Sequence, residues 1–534
     1  MLPLLSYVFG LAIRAGPSAS VVFVVPDAAT NKPSPFGATS PSPKPTWHAV
    51  ASHLATRLPG FDDRIRSTVV TEHELATASN SAAADVYIAL GLSATSAPAL
   101  TALSADASAL VTYDCEDAVS SLTFVGEYSP SASGVDAALQ TVQASAAPWA
   151  GVARGKRLAE QADLLLSRHS SEDLLYSIFF ILHEYVLELD LVKYTVNPTW
   201  EKGPLKNAAE FASMCTKCGD KIATALTDPE TKATIDLLNA CDMRDQVGSY
   251  RVIVSYETPQ LEDFSLCILQ QNNCFGCDAK IIETPRVPLL QKWRGEAVDE
   301  KASRQLFIGH FDCEEAHQEA SKKLPWSWKI VCGANPAYDA FPAQHQIFYP
   351  SEKSGKALWY DPVFKVETLD GRQVWTKRHY RCMPRVVDDD LTGPSGESHG
   401  AWTLTTLDNG VISKEHWTTV DAADDLSWAI FHYTGAAAVV GQSYLGALLC
   451  SADGKWPAGA TSGEEYERIR AAFAKCGIEM FELYGHGPPE AGKSFMWTSD
   501  HLEWEAQNPP PLEPIGDQTV QAWRASEKEK AVAA

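Results

Sequence analysis

Between residues 346 and 451 one short, aromatic-rich apolar segment follows another: QIFYP, ALWYDPVFKVETLDG, QVWTKRHYRCM, AWTLTTLDNG, EHWTTV, SWAIFHYTG and LGALLCS. Gly, Asp, Asn and Pro punctuate the series, so it predicts consecutive short strands with turns between them. Strands this short and numerous leave a barrel or a sandwich, since either disposes of most unpaired edges. The stretch WKIVCGANPAYDAFPAQHQ at the head of the series sets a single carboxylate, Asp339, among aromatics. A carboxyl stripped of water holds its proton to higher pH, which makes Asp339 a candidate acid. Its plainer role is to cap a turn after Asn335 and Pro336.

The first part of the chain alternates differently. SVVFVVP, STVVTE, ADVYIALGL and ALVTYDC read as strands, and HAVASHLATRL and PALTALSADA as helices between them. That order predicts a small parallel α/β layer. Neither GxGxxG nor GxxxxGK[ST] occurs in it, so a nucleotide site there would rest on fold analogy alone. From Lys156 the pattern turns helical, and Ser170 or Ser171 is placed to cap the second helix. After the strands, TSGEEYERIRAAFAKCG predicts a helix with Ser462 and Glu465 as a capping box, Tyr466, Ile469 and Phe473 on one face, and Gly477 as its stop. The predicted organisation is multidomain α+β: an α/β domain (1–155), a helical connector (156–206), a cysteine-rich module (207–300), an antiparallel barrel with a helix (301–490) and a tail (491–534).

A formal net charge of -23 argues against a nucleic-acid partner, because neutralising phosphates needs clustered Lys and Arg. The longest apolar run, LLYSIFFILHEYVLEL, is broken by His183 and Glu184 and is short for a bilayer span of about 20 residues. It reads as a buried helix or a membrane-docking surface. The opening MLPLLSYVFGLAIRAG is equally compatible with a truncated targeting segment and a first helix. Among twelve cysteines, Cys215, Cys218, Cys241, Cys267, Cys274 and Cys277 fall in one stretch. Its two CxxC pairs allow a zinc knuckle or a disulfide framework, and order alone does not fix pairing.

The run GANPAYDAF resembles the G-x-N-P-x-[FY]-D-A-F motif of the violaxanthin de-epoxidases, lipocalin-fold enzymes of plastids, and the chain is most similar to their longer related branch. Trp328 sits at the family's lipocalin tryptophan, and EHW and FHYTG resemble its later strands. The resemblance implies a lipocalin-like barrel that binds a xanthophyll or another apolar small molecule. It implies an oxidoreductase of the xanthophyll cycle, acting in photoprotection, that opens a carotenoid epoxide with ascorbate as reductant. Asp339 is then the leading acid, and Glu415 stands where the family carries an Asp, one methylene shorter. Two carboxyls facing one cavity split their pKa values, so one can donate while the other stays charged. Gln344, Trp417 and Tyr433 fall on family positions of the ligand cavity. Pro342, Ala343, Gln346 and Cys450 replace a family Asp, Cys, His and Tyr, and Trp326 replaces a glycine. These losses favour the alternative of a non-catalytic carotenoid or lipid binder. A third possibility places the function in the first domain. The resemblance further implies a chloroplast location, in or on the thylakoid, with peripheral membrane contact. It favours disulfides over zinc for the cysteine cluster. It also implies a switch in an acidified lumen, for which His345, His379, His416 and His432 are the barrel's titratable candidates, though a strand histidine is more often a surface residue.

Overall fold

The computed structural model describes residues 18–27, 32–36, 44–77, 84–125, 174–175, 177–178, 182, 208–240, 246–274, 278–309, 327–334, 343–351, 356–385, 387, 399–452, 454–457, 460 and 463–485. Most of the predicted connector, all of the tail, the opening apolar run and the caps at Ser170, Ser171 and Ser462 lie outside them. The chain forms two compact units, one of Met1–Lys32, Thr46–Ser131 and Ile178–Leu189, the other of Pro33–Pro45, Ala132–Ser177 and Asp190–Ala534.

In the first unit, Val-, Ala- and Ile-rich runs form the inner strands of a parallel sheet, buried on both faces most completely in Val86–Leu90, while the edge strand Ile65–Thr71 is largely half-buried. The strands are β1 (Ala19–Val25), β2 (Ile65–Thr71), β3 (Val86–Leu90) and β4 (Ala109–Tyr113), with the short β5 (Phe124–Val125) added antiparallel. The order is β2-β1-β3-β4-β5. Helices α1 (Trp47–Phe61), α2 (Glu72–Thr77), α3 (Ala97–Leu103) and α4 (Asp117–Ser120) form the connections. Thr46 caps α1 by accepting the Ala49 N–H at 3.2 Å. The α/β layer read from the sequence is therefore present.

The second unit opens with helices α5 (Ala208–Thr227), α6 (Pro229–Ala240), α7 (Gln246–Tyr256) and α8 (Pro259–Ser265), the last continuing to Gln271 as a widened π-type turn. Cys218, at a kink in α5, is disulfide-bonded to Cys267. A small hairpin, β6 (Lys292–Trp293) and β7 (Glu296–Ala297), leads to α9 (Glu300–Ile308), capped by Asp299.

Ten antiparallel strands follow: β8 (Trp328–Ala334), β9 (Ala343–Pro350), β10 (Leu358–Glu367), β11 (Gln373–Lys377), β12 (Tyr380–Pro384), β13 (Ala401–Asp408), β14 (Val411–Ala422), β15 (Trp428–Ala437), β16 (Gln442–Ser451) and β17 (Tyr484–Gly485). Pairing runs β8-β9-β10-β12-β13-β14-β15-β16 and returns to β8, so eight strands close a barrel; β11 and β17 lie off the ring. Closure is what makes the interior a core without edges.

Side-chain alternation sends Phe348, Leu404, Trp402, Trp417, Phe431 and Leu448 inward. Helix α9 closes one end with Phe307, whose ring lies 5.1 Å from those of Phe348 and Phe431 and 5.4 Å from Trp402. Trp328 and Trp402 fix that helix, donating their indole N–H groups to Leu306 O and Ser303 Oγ at 3.0 Å. Outside the barrel, α10 (Gly463–Lys475) buries Ile469 and Phe473 against Ile430 and Leu449, and Gly477 (φ 69°) ends that segment in the left-handed conformation, as the sequence predicts. At the other end, the β13–β14 turn rests on the helical block. A Cβ on Gly410 would stand 2.5 Å from Glu262 O and Leu266 N, and Gln270 Oε1 accepts the Ile412 N–H at 2.8 Å. The chain between them straps the outer wall, where Ala438 O accepts the Ala279 N–H and Thr419 O accepts the Leu290 N–H. No helix of the described residues is long and apolar enough to cross a membrane.

Candidate functional site

Strand β14 reads Glu415-His416-Trp417, so its alternation turns Glu415 and Trp417 into the barrel and His416 out of it. Glu415 pairs with Leu404 on one side and Gly435 on the other, one step from the Trp402, Trp417 and Tyr433 row. Its carboxyl is 4 % exposed and bonded at both oxygens: Trp417 Nε1–H donates to Oε2 at 2.6 Å, and Tyr444 Oη lies 2.8 Å from Oε1. Burial pushes the Glu415 carboxyl up, and the two hydrogen bonds only partly oppose it. Among the described residues no Lys, Arg or His bonds it. A carboxyl that is buried, hydrogen-bonded and without a cation favours its neutral form and can act as an acid.

The aromatic neighbours depend on two glycines. A Cβ on Gly435 would stand 2.6 Å from Tyr444 ring carbons, and one on Gly446 would stand 2.6 Å from Tyr433 Oη. Each ring thus lies across the bare backbone of the adjoining strand, Tyr444 over β15 and Tyr433 over β16. Tyr433 also stacks on Trp417 at 5.1 Å between centroids.

On the facing wall, register places Gln344 opposite Phe364, Gln346 opposite Pro362, and Phe348 opposite Tyr360. Gln344 and Gln346 are buried, and Gln346 Oε1 accepts the Tyr360 hydroxyl. Trp417 bridges the two walls, its ring 5.4 Å from that of Tyr360. Cys382 is fully buried, and burial, followed by the nearby Glu415 and Asp361, raises its thiol well above its usual range.

The described residues therefore bring together Glu415, Gln344, Trp417 and Tyr433 on the barrel interior. Asp339 lies outside the described residues, as do Pro342 and Trp326; Ala334 and Ala343, which flank the 335–342 segment, end β8 and begin β9. Gln346, which replaces a family His, keeps a polar role through Tyr360.

Surface exposure is the wrong expectation for His432. It is 5 % exposed, and burial, with Arg385 nearby, lowers it to about 4. His416 is half-buried and lowered to about 4 by burial, then by Arg385 and Lys414. The strap runs over this part of the outer wall, where Ile282 O accepts the hydroxyl of Thr434, the β15 partner of His416. His379 pairs with the fully buried Asp361, Nδ1 to Oδ1 2.6 Å, beside Lys377 Nζ at 3.1 Å and Tyr349 Oη at 3.2 Å. Burial alone would raise that carboxyl, yet Lys377 and His379 bring it below its usual range. The His345 side chain lies outside the described residues.

Of the clustered cysteines, Cys218 and Cys267 form the disulfide, Cys215 and Cys274 are thiols, and Cys241 and Cys277 lie outside the described residues. Sequence reasoning missed Tyr444, Tyr360 and Cys382. The signal for Tyr444 was the Tyr-Leu-Gly spacing of 444–446 opposite Gly435, which becomes legible only once the β15–β16 register is known.

A family model described as the VDE lipocalin domain matches residues 210–484. Solved structures similar to the chain include trichosurin, a possum milk whey lipocalin with bound 4-ethylphenol (12% identity over 30% of this chain and 94% of that one, TM-score 0.20). Another is bovine odorant-binding protein in complex with undecanal (16% identity over 29% of this chain and 82% of that one, TM-score 0.16). No curated protein matches the sequence.

Proposed function

Because the chain belongs to the violaxanthin de-epoxidase (VDE) lipocalin domain family, we propose that its barrel takes up one end of a xanthophyll or similar apolar molecule and opens an epoxide there by acid assistance. The observation that carries this reading is Glu415: a carboxyl inside an aromatic barrel, bonded by Trp417 and Tyr444 and by no Lys, Arg or His among the described residues. Loss of an epoxide oxygen as water consumes two protons and two electrons. Ascorbate supplies the electrons and becomes dehydroascorbate, while protein carboxyls supply protons to the departing oxygen. Glu415 is one such donor, and Asp339, on the family motif, is the other. Trp417 and Tyr433 offer ring faces to the apolar body, and Gln344 and Gln346 offer amides to a hydroxyl.

A thylakoid setting and peripheral membrane contact are part of the same proposal, as is a disulfide framework in place of zinc for the remaining cysteines. The rival reading is a pigment or lipid carrier without chemistry. It is favoured by the replacement of a family His and Tyr by Gln346 and Cys450.

The test incubates purified protein with violaxanthin and ascorbate in mildly acidic buffer and follows pigments by chromatography, with Glu415→Gln and Asp339→Asn in parallel. De-epoxidised product that disappears in either variant supports the enzyme. Pigment bound but unchanged by all three proteins establishes the carrier, and no pigment bound at all removes both readings.

A further inference from the structure

The indole of Trp417 is a donor only, so Glu415 Oε2 must accept from it. To the ionised carboxylate Tyr444 Oη donates at Oε1; in the neutral form the carbonyl oxygen is the stronger acceptor, which puts the carbonyl at Oε2 and the proton on Oε1. Oε1 is the oxygen facing Tyr444 Oη, 2.8 Å away. A phenol both accepts and donates. If it takes the Oε1 proton, its own hydrogen turns away from Glu415.

The placement of that phenol is built into the sheet. Gly435 is the β15 partner of both Glu415 and Tyr444. A Cβ there would stand 2.7 Å from the Tyr444 hydroxyl oxygen, so only a glycine lets the hydroxyl lie across the strand and reach the carboxyl. The other interior hydroxyls are engaged differently: Tyr360 donates to Gln346, and Tyr433 lies over Gly446 and stacks on Trp417.

We infer that Tyr444 is a proton relay, passing the Glu415 proton to an oxygen of the bound molecule, an inference that rests on the acid role of Glu415 proposed above. In the step, the Tyr444 O–H bond breaks as a new O–H bond forms on the ligand oxygen. The Glu415 Oε1–H proton moves to Tyr444 Oη, so the phenol ends as it began. The strained C–O bond of the ligand breaks, its electron pair goes to the newly protonated oxygen, and the positive charge left on carbon spreads into the conjugated chain until the two electrons from ascorbate discharge it. Glu415 is left as a carboxylate that accepts from Trp417 N–H and Tyr444 O–H, and it recovers its proton from solvent.

The experiment uses the full chain with violaxanthin and ascorbate and compares Tyr444→Phe, Glu415→Gln, the double variant and Gly435→Ala. General acid steps contribute about 100- to 10,000-fold. Tyr444→Phe and Glu415→Gln are each expected to lose at least about 100-fold in turnover, and the double variant no more than the worse single, because groups in one relay are not additive. Pigment binding, read by quenching of tryptophan fluorescence, is expected to stay within about twofold, since a relay acts in the chemical step. Gly435→Ala keeps the phenol but displaces it, and is expected to lose turnover in the same way. The infrared carbonyl band that vanishes in Glu415→Gln is expected to shift in Tyr444→Phe, which a packing role would not produce. Full turnover in Tyr444→Phe with none in Glu415→Gln overturns the relay and leaves Glu415 as a direct donor. Full turnover in Glu415→Gln overturns the acid reading itself.

Discussion

Acidification removes stability through one identifiable side chain. His432 is buried on the outer wall of the barrel and titrates at about 4, against 6.5 for the free imidazole. Its folded pKa is depressed, so between those values the unfolded chain binds the proton that the folded chain refuses, and stability falls as pH falls. With about 1.4 kcal/mol per unit, lowering pH from 7.5 to 4.5 costs roughly 2 to 3 kcal/mol at this site alone. His416 is also lowered to about 4, but it is only half-buried, and solvent screening makes its share smaller. The assay is urea unfolding of the wild type and His432→Gln at both pH values, followed by tryptophan fluorescence. Glutamine does not titrate, so subtracting the two proteins cancels every other acid and base. The wild type is expected to lose roughly 2 to 3 kcal/mol relative to the variant on acidification. Parallel stability curves for the two proteins would refute the reasoning, and so would a variant that weakens more in acid than the wild type.

Asp361→Asn removes the anion from Lys377 and His379 in a fully buried site and is expected to cost about 3–5 kcal/mol, seen as a lower thermal midpoint. The Asp361 contribution is present above the usual Asp range and is lost only in strong acid, so the wild type should converge on the variant well below pH 4. Reduction of Cys218–Cys267, whose sequence separation is 49, releases a loop worth about 4 kcal/mol in the chain-entropy description. Peptide mapping without reductant should recover that pair, and its absence from an oxidised sample would disprove the bridge.

The barrel and the α/β layer were legible because both announce themselves by period: alternation with turn signals in one, buried runs between helices in the other. Glu415 came into view only through the family resemblance; what alternation adds is that in Glu-His-Trp its carboxyl and the Trp417 indole share a face. The partner of its second oxygen was not legible. Tyr444 is two strands away from β14, and nothing local specifies that register. His432 was misread for a related reason: the strap bonded to Ala438, Thr434 and Thr419 on the same wall comes from residues 279–290, far off in sequence and without a secondary-structure signature. The cysteines were readable as a cluster but not as a pair, because the bond joins Cys218 to Cys267 across two intervening helices rather than to Cys215 within its CxxC.

The seat of the β13–β14 turn on the helical block decides what can be cut from this chain. A fragment starting at the first barrel strand would strip Gln270 from the Ile412 N–H and take the Glu262 and Leu266 backbone away from Gly410. It would also lose the chain segments that bond Ala438 and Thr419 and the aromatic stopper Phe307. Such a fragment would have the strands of a barrel and neither of its ends. The family match begins at residue 210, ahead of every one of these contacts, and not at Trp328. What is inherited together is therefore the block and the barrel, and an expression boundary for the site containing Glu415 belongs before α5.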